Sequence, residues 1–277
     1  MKKILFAVPL LVMLLVACDP STENYASPGA NVTPEELTNE LQLNPKSTGN
    51  NNITVVTNPT RYIKVYDASN NTLVGEGTDP VIQVVPPTTN VSYYVTTINP
   101  DGSVVKSTAK SVTVSEYTDL PAIYDKIFGD GNGGYTTTTW TWDTDLARYW
   151  GNGGWGSDTG PAWWGAPDQT TIDSQAIGKG MPNDGLGAWF SLSLTGVNTS
   201  RGETGTVNVS EAVVKAGWDI GTMKFSGTVP LLGILPNDNN QRCYTYQIIK
   251  ADGSHLVIAA NTLSNSGEGW FFCFKKK

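Results

Sequence analysis

Seven of the nine tryptophans of this chain lie between Trp140 and Trp189. They stand among Gly, Asn, Asp and Thr, whereas a packed core surrounds its aromatic rings with aliphatic side chains. We therefore expect some of these rings to lie on irregular backbone near the surface. A flat ring beside short polar side chains suits a sugar, which has apolar C–H faces and hydroxyl edges. The stretch thus predicts a carbohydrate-binding surface.

The overall composition favours a β-rich fold and argues against several ligand classes. Charged residues make up 16% of the 277 residues, below the usual quarter or so, and Gly, Thr, Ser and Asn replace them. The net charge of -7 excludes a general affinity for nucleic acid and favours neutral over anionic glycans. The single histidine, His255, excludes a His-rich zinc site and is interpreted as an ordinary strand residue.

The N-terminus has the pattern of a lipoprotein signal. Residues 1–18 combine two lysines with a short apolar run, and the ending Leu-Val-Ala-Cys resembles a bacterial lipobox. The resemblance implies cleavage before Cys18 and acylation of that residue, which would anchor the protein to a membrane. In enterobacterial lipoproteins an aspartate directly after the cysteine, here Asp19, would hold the protein at the inner membrane. In Bacteroidota lipoproteins acidic residues soon after the cysteine accompany surface export, and Asp19 and Glu23 are compatible with that route to the outer membrane. No nucleic-acid partner is expected.

Residues 19–50 are polar and rich in Pro, Asn and Thr, which predicts a flexible tether. One short helix is expected to begin at Thr33-Pro34, because Pro is tolerated at the first helical position. The following residues, 51–115, show seven short strand patterns separated by turn sequences, and they predict a small immunoglobulin-like (Ig-like) sandwich. The segment SYYVTTINPDGSVVKSTAKSVTV resembles the last strands of polycystic-kidney-disease-type (PKD-like) domains, although the Trp-Asp-Phe-Gly-Asp motif of that family is absent.

Residues 116–134 are expected to link the two halves, with a short helix from Leu120 to Ile127. Asp130 and Asn132 have the spacing of calcium-loop ligands, but the Glu that completes an EF-hand loop is missing. No cofactor is therefore predicted, and calcium near these two residues is the one alternative.

Residues 135–277 predict a second β domain of about eight strands, arranged as a jelly-roll-type β-sandwich. The fold class expected for the whole chain is all-β, with an N-terminal Ig/PKD-like sandwich followed by this C-terminal sandwich. Asp252-Gly253 between two strand patterns predicts a hairpin. The segment from Tyr149 to Pro167 is expected to be a long loop, and long loops in compact domains are often functional.

The tryptophans divide into core and ligand candidates. Trp140 and Trp142 share one strand face, and Trp218 and Trp270 stand among apolar strand residues, so these four are expected in the core. The rings that remain as candidates for a glycan platform are Trp150, Trp155, Trp163, Trp164 and Trp189. The alternative is a self-packed cluster beneath the loop.

Short polar side chains near these rings would bind sugar hydroxyls. The candidates are Asn152, Asp158, Asp168 and Arg148, of which Arg148 offers a bidentate donor. Once Cys18 is acylated, Cys243 and Cys273 remain, and an oxidising envelope permits a disulfide between them. Two buried thiols are the alternative.

The runs WTWDTD, YWGNGGWGSDTGPAWWGAP and GEGWFFCFKK resemble a group of Bacteroidota envelope lipoproteins. The resemblance implies a PKD-like domain followed by a β-sandwich, and a role in glycan binding or as an accessory in polysaccharide utilisation. It also implies a polysaccharide or oligosaccharide ligand and other polysaccharide-utilisation proteins as partners. It supplies no site residues, so the candidates above derive from the sequence alone.

Three functions are compatible with the sequence. The first is a non-enzymatic surface lipoprotein that binds neutral glycan. The second is a glycoside hydrolase, in which Asp143 and Asp145, expected on one strand face, would supply the two carboxylates. The third is a structural or adhesive envelope subunit, which predicts buried loop tryptophans and an exposed sheet edge or apolar patch.

Overall fold

The computed structural model describes residues 29–168 and 170–277. In these residues the fold is all-β, with a few short helices between the strands. The predicted signal peptide and Cys18 lie outside the described residues. No helix among the described residues is long and apolar enough to span a membrane.

The first half of the described chain consists of two sheets. Its elements are α1 (Pro34–Glu40), β1 (Leu41–Pro45), β2 (Asn52–Thr57), β3 (Ile63–Asp67), β4 (Leu73–Gly77), β5 (Val81–Gln83), β6 (Asn90–Ile98), β7 (Val104–Lys106) and β8 (Lys110–Thr113). One sheet has the order β1-β2-β5; the other has the order β4-β3-β6-β7, and β8 also pairs with β6. The seven strands predicted between residues 51 and 115 are all present as β2–β8. Alternation buries Ile63 and Val65 in the core, as the period of two predicts.

Part of the predicted tether belongs to this first unit. Thr33 caps α1 with a capping box to Glu36, which confirms the predicted helix start. The helix leads directly into β1, where Leu41 lies opposite Thr57 of β2. Leu37 and Leu41 are fully buried. The prediction of a flexible tether is therefore wrong for residues 34–45, because these two leucines bury enough apolar surface to fix the segment.

The second half of the described chain forms a barrel. Its elements are α2 (Ala122–Phe128), β9 (Thr138–Trp142), β10 (Trp150–Gly154), β11 (Trp164–Ala166), α3 (Ile172–Gly178), a 3₁₀ turn (Pro182–Asp184), β12 (Phe190–Ser193), β13 (Gly196–Thr199), β14 (Thr204–Ser210), β15 (Gly221–Ser226), β16 (Ile234–Leu235), β17 (Gln241–Arg242), β18 (Thr245–Ala251), β19 (His255–Asn261) and β20 (Glu268–Lys276). The strands β9, β12, β13, β14, β15, β18, β19 and β20 pair in that order, and β20 pairs back to β9.

This closed sheet differs from the predicted jelly roll. Every one of these pairings is antiparallel, and neighbours in the sheet follow one another along the chain, apart from the inserted hairpins β10–β11 and β16–β17. A jelly roll has Greek-key connections between two sheets, and the eight strands of this barrel do not follow that order. The prediction of a jelly roll is therefore wrong. The sequence predicts about eight strands in residues 135–277; the structure has twelve in the part of this range that it describes, β9–β20, of which eight form the closed barrel.

Large aromatic side chains fill the interior of the barrel. Trp142 lies opposite Phe274, and Trp140 lies opposite Phe190. All four side chains are fully buried, which confirms the core positions predicted for the two tryptophans. Trp218 and Trp270 are also buried, as predicted. An eight-stranded barrel is just wide enough for side chains to fill it, so a ligand site is expected on its outside.

Both ends of the barrel are covered. At one end α2 is fixed by hydrogen bonds from Thr138 Oγ1 to Ile127 O and from Gly253 N to Lys126 O, each 3.0 Å. The helix predicted in the linker is thus present, and it packs on the barrel. At the other end, the segment 229–235 follows β15 and has buried apolar side chains.

A buried ion-pair network holds that second end together. Arg201 Nη1 lies 2.6 Å from both carboxylate oxygens of the fully buried Asp184, and Leu232 N donates to the same carboxylate at 2.7 Å. Burial raises the pKa of Asp184, and Arg201 opposes that rise. The hydrogen bond from Arg242 lowers the pKa of Glu203 to about 2, against a smaller effect of burial. Arg201 also contacts Glu203, so one guanidinium joins both carboxylates.

Candidate functional site: a cleft beside an interrupted strand

One edge of β20 is shared by two strands. Trp142 at the end of β9 lies opposite Phe274, and Trp150 at the start of β10 lies opposite Phe272. The two strands therefore follow each other along the same edge of β20. The residues between them, 143–149, leave the sheet, and we call them the bulge loop. Asp143, Asp145 and Arg148 of this loop line an open cleft, although Asp143 itself is buried.

The bulge loop forms one wall of an open cleft of about 640 Å³. The second wall comes from the segment Thr159–Pro161 and from Asp168. Lys250 and His255 line it from the two strands of the β18–β19 hairpin. Val257 and Cys273 lie opposite each other on β19 and β20 and form a buried floor. The cleft thus combines a small apolar base with charged and polar walls.

Arg148 joins the two walls. Its Nε lies 2.6 Å from Asp168 Oδ2, and its Nη1 donates to Ala162 O at 3.2 Å. Arg148 and Asp168 are two of the side chains predicted to bind glycan, and the structure brings them together at the cleft. A guanidinium that is held on two sides presents its remaining N–H groups in a fixed direction.

His255 lies between two carboxylates. Its Nδ1 is 3.3 Å from Asp252 Oδ2, and its Nε2 is 4.0 Å from Oδ2 of the buried Asp143. Burial alone would raise the pKa of Asp252. The hydrogen bonds from Lys250 and His255 outweigh that effect and hold the pKa below its ordinary value. His255 is a strand residue, as predicted, but its ring belongs to the cleft.

The two cysteines are not linked to each other. Of the two alternatives that the sequence leaves open, a disulfide or two thiols, the structure has two free thiols, of which Cys273 is buried and Cys243 is half-buried. Cys243 follows β17, whereas Cys273 lies within β20 on the cleft floor. Burial, and then the negative charge of Asp143, raise the pKa of Cys273 to about 12. A thiol with that pKa is not a nucleophile at neutral pH.

Trp150 is not a ligand-binding residue. Its ring is fully buried, 4.8 Å from the ring of Trp270 and edge-on to that of Trp164 at 5.8 Å. The prediction failed because the Gly-rich run after Trp150 forms strand β10 and not a loop. Gly151 allows the close approach of β11, since a Cβ there would lie 2.1 Å from Trp164 O. The packing of Trp150 with Trp164 and Trp270 corresponds to the alternative prediction, a self-packed cluster of rings.

The other candidate rings differ in exposure. Trp155, Trp164 and Trp189 are half-buried, and Trp155 packs edge-on against Trp218 at 4.7 Å. Trp189 N donates to Ser200 Oγ, outside the residues that line the cleft. Trp163 is the most exposed of the five, at 53%. It follows directly on Ala162, whose carbonyl accepts the hydrogen bond from the cleft guanidinium.

Two predicted polar candidates hold the β10–β11 hairpin instead of lining the cleft. Asn152 Nδ2 donates to Glu268 Oε1 at 2.5 Å, and Asn152 Oδ1 accepts from Trp164 N at 3.1 Å. Asp158 Oδ2 accepts from Gly154 N at 2.6 Å and so closes the turn after β10. Both side chains use these atoms within the protein.

The calcium alternative has no support in the described residues. Asp130 Oδ1 accepts hydrogen bonds from the backbone of Asn132 and Gly134, so it closes its own loop. Within residues 29–168 and 170–277, no group of three or more His, Cys, Asp or Glu side chains is placed to hold a metal ion.

Comparison of the chain with protein-family models and with curated proteins gives no match. A fold by itself does not imply a function, which depends on the chemistry of the site.

Proposed function

We propose that this protein is a non-enzymatic, carbohydrate-binding lipoprotein of a bacterial outer membrane, anchored through Cys18. The cleft beside the bulge loop would bind a neutral oligosaccharide or polysaccharide chain. In this proposal the first unit is an Ig/PKD-like spacer that holds the barrel away from the membrane. The composition of the cleft is the observation that carries the proposal.

The charges of the cleft favour a neutral ligand rich in hydroxyl groups. Asp168 is paired with Arg148, and Asp145 with Lys275 at 2.9 Å. An ionic ligand would have to break one of these pairs, whereas a hydroxyl can share their oxygens and N–H groups. The hydroxyl of Thr159 adds a group that both donates and accepts.

Trp163 supplies the aromatic surface that a sugar ring needs. Trp163 is not among the residues that line the cleft, but its exposed indole follows two residues after Pro161, which does line it. The apolar face of a pyranose stacks on such a ring, while its hydroxyl edge is left for the charged wall. In this proposal the glycan site contains one of the five predicted rings, Trp163, together with the predicted polar residues Arg148 and Asp168.

The proposal is tested with the form lacking residues 1–18, first against an array of neutral plant and host glycans and then by calorimetric titration. Trp163→Ala should weaken binding by roughly 5- to 30-fold, since loss of one stacked ring costs about 1–2 kcal/mol. Tyr62→Ala is the matched control, because Tyr62 is a similarly exposed aromatic in the other unit. Equal affinities for the two variants would contradict the assignment.

A glycoside hydrolase is the second candidate, because Asp143 and Asp145 both line the cleft. The sequence predicted that they share a strand face, and this prediction is wrong. Both residues lie in the bulge loop, where Asp145 N donates to Asp143 Oδ1 at 3.3 Å. Release of reducing sugar that stops in Asp143→Asn, while binding persists, would establish this function in place of simple binding. Binding without release in the wild type would support the first proposal.

A further inference from the structure

A row of exposed apolar side chains crosses the outer face of the second sheet of the first unit. Ile98 lies opposite Val104, and Tyr62, whose carbonyl accepts a hydrogen bond from Thr97 Oγ1, precedes β3 on the other side of β6. The exposed fractions are 58% for Tyr62, 70% for Ile98 and 68% for Val104. These three residues, the apolar row, border a shallow groove of about 600 Å³.

Cationic and aromatic residues lie behind the apolar row on the same face. Two residues further along the three strands, on the same face, lie Lys64, Thr96 and Lys106, which are opposite one another in the sheet. Behind them Tyr66 and Tyr94 stack at 5.1 Å, and Lys106 Nζ lies 3.6 Å above the ring of Tyr94. The end of the sheet nearest the turn between Ile98 and Val104, which we call the tip, is apolar. Further from the tip the face becomes cationic and then aromatic.

The N-terminal segment joins the domain at this tip. Val32 N donates to Asn99 Oδ1 at 3.0 Å, and Asn99 Nδ2 donates back to Val32 O at 3.1 Å. Asn31 forms a further hydrogen bond with Asp101 in the same turn. That turn connects Ile98 to Val104. Only residues 19–30 separate Cys18 from Asn31, a reach of at most about 45 Å.

We propose that the apolar row lies against the lipid surface to which Cys18 is anchored. The proposal rests on the acylation of Cys18 that forms part of the proposed function. Apolar side chains enter the region between headgroups and acyl chains, and lysine side chains extend to the phosphates beside them. Contact at this tip would orient the first unit on the membrane.

The tip also carries negative charge, which limits the contribution of electrostatics. Glu76 lies 3.9 Å from Lys64, and Asp101 accepts hydrogen bonds from Ser103. The apolar row is therefore the main source of attraction, and we expect contact with zwitterionic as well as anionic lipid. Three side chains bind a membrane weakly, so the anchor has to supply the effective concentration.

The test reproduces the anchor. Residues 19–277 with an N-terminal hexahistidine are bound to phosphatidylcholine vesicles that contain a nickel-chelating lipid. An environment-sensitive fluorophore is attached to Val104→Cys in a Cys243→Ser background. The matched probe is Leu263→Cys on the barrel, where the native side chain is 73% exposed. We expect the probe at position 104 to shift to the blue and to be quenched by iodide several-fold less than the probe at position 263.

Ile98→Asp, introduced into the protein labelled at position 104, should restore quenching to the level at position 263. Equal quenching at the two positions, or no effect of Ile98→Asp, would overturn the proposal. Protection of position 104 in solution without vesicles, with self-association in sedimentation, would assign the face to a second copy and also overturn it. Carbohydrate binding is measured separately in solution, where Ile98→Asp should not alter it, so the two proposals fail independently.

Discussion

Gly151→Ala tests whether the β10–β11 hairpin shapes the cleft. Gly151 lies opposite Gly165, and an added Cβ would lie 2.1 Å from Trp164 O and 2.5 Å from the Cα of Gly165. Both contacts are with backbone, so no side chain can rotate away and the strands have to separate. Overpacking of this kind costs about 1–3 kcal/mol. The free energy of unfolding, measured by urea titration with tryptophan fluorescence, should fall by that amount.

Gly160→Ala is the matched control in the same hairpin, because a Cβ there meets nothing within 4 Å. It should leave stability unchanged or raise it by about 0.4–1 kcal/mol through the unfolded state. Gly151→Ala should also weaken glycan binding, since β11 connects the cleft wall at Pro161 to Asp168. Equal stabilities for the two variants would refute the close approach of the strands. Unchanged glycan binding by Gly151→Ala would show that the hairpin does not shape the binding site.

Three further predictions concern the barrel itself. Arg201→Met leaves the buried carboxylate of Asp184 unpaired and should lower the free energy of unfolding by about 3–5 kcal/mol; removing both charges together should restore part of that loss. The folded-state pKa of Glu203, about 2, lies below its ordinary value of 4.5, so its contribution to stability is complete above pH 4.5 and is lost as the pH falls toward 2. Glu203→Gln should therefore flatten the fall in stability between pH 4.5 and pH 2, measured by urea unfolding; an unchanged slope would contradict this. Cys273 should not react with an aromatic disulfide reagent at pH 8 until the protein unfolds, and a reductant should leave the melting temperature unchanged because Cys243 and Cys273 are not linked.

Local sequence patterns predicted most of the strands and part of the core. Alternation identified Trp140 and Trp142 as core residues, and both are buried. The turn at Asp252-Gly253 does connect two antiparallel strands, with Gly253 at a φ of +84°. Such signals depend on neighbours in the chain and therefore survive without knowledge of the tertiary structure.

Closure of the barrel and formation of the cleft depend on distant contacts, which the sequence does not display. β20 pairs with both β9 and β10, which lie more than a hundred residues earlier in the chain. Because these two strands share one edge of β20, the residues between them, including Asp143 and Asp145, leave the strand that their sequence pattern predicts. His255 becomes a cleft residue for the same reason. A buried glycine-rich strand such as β10 also has the composition of a loop, which led to the wrong expectation for Trp150.

The central claim is that a neutral glycan binds between the two walls of the cleft. Amide hydrogen exchange of the form lacking residues 1–18, with and without the tightest-binding neutral glycan, locates that contact most directly. We predict slower exchange in residues 143–149 and 159–168 on binding. Protection confined to the region of Trp189, or to residues 51–115, with no change in the two walls, would contradict it.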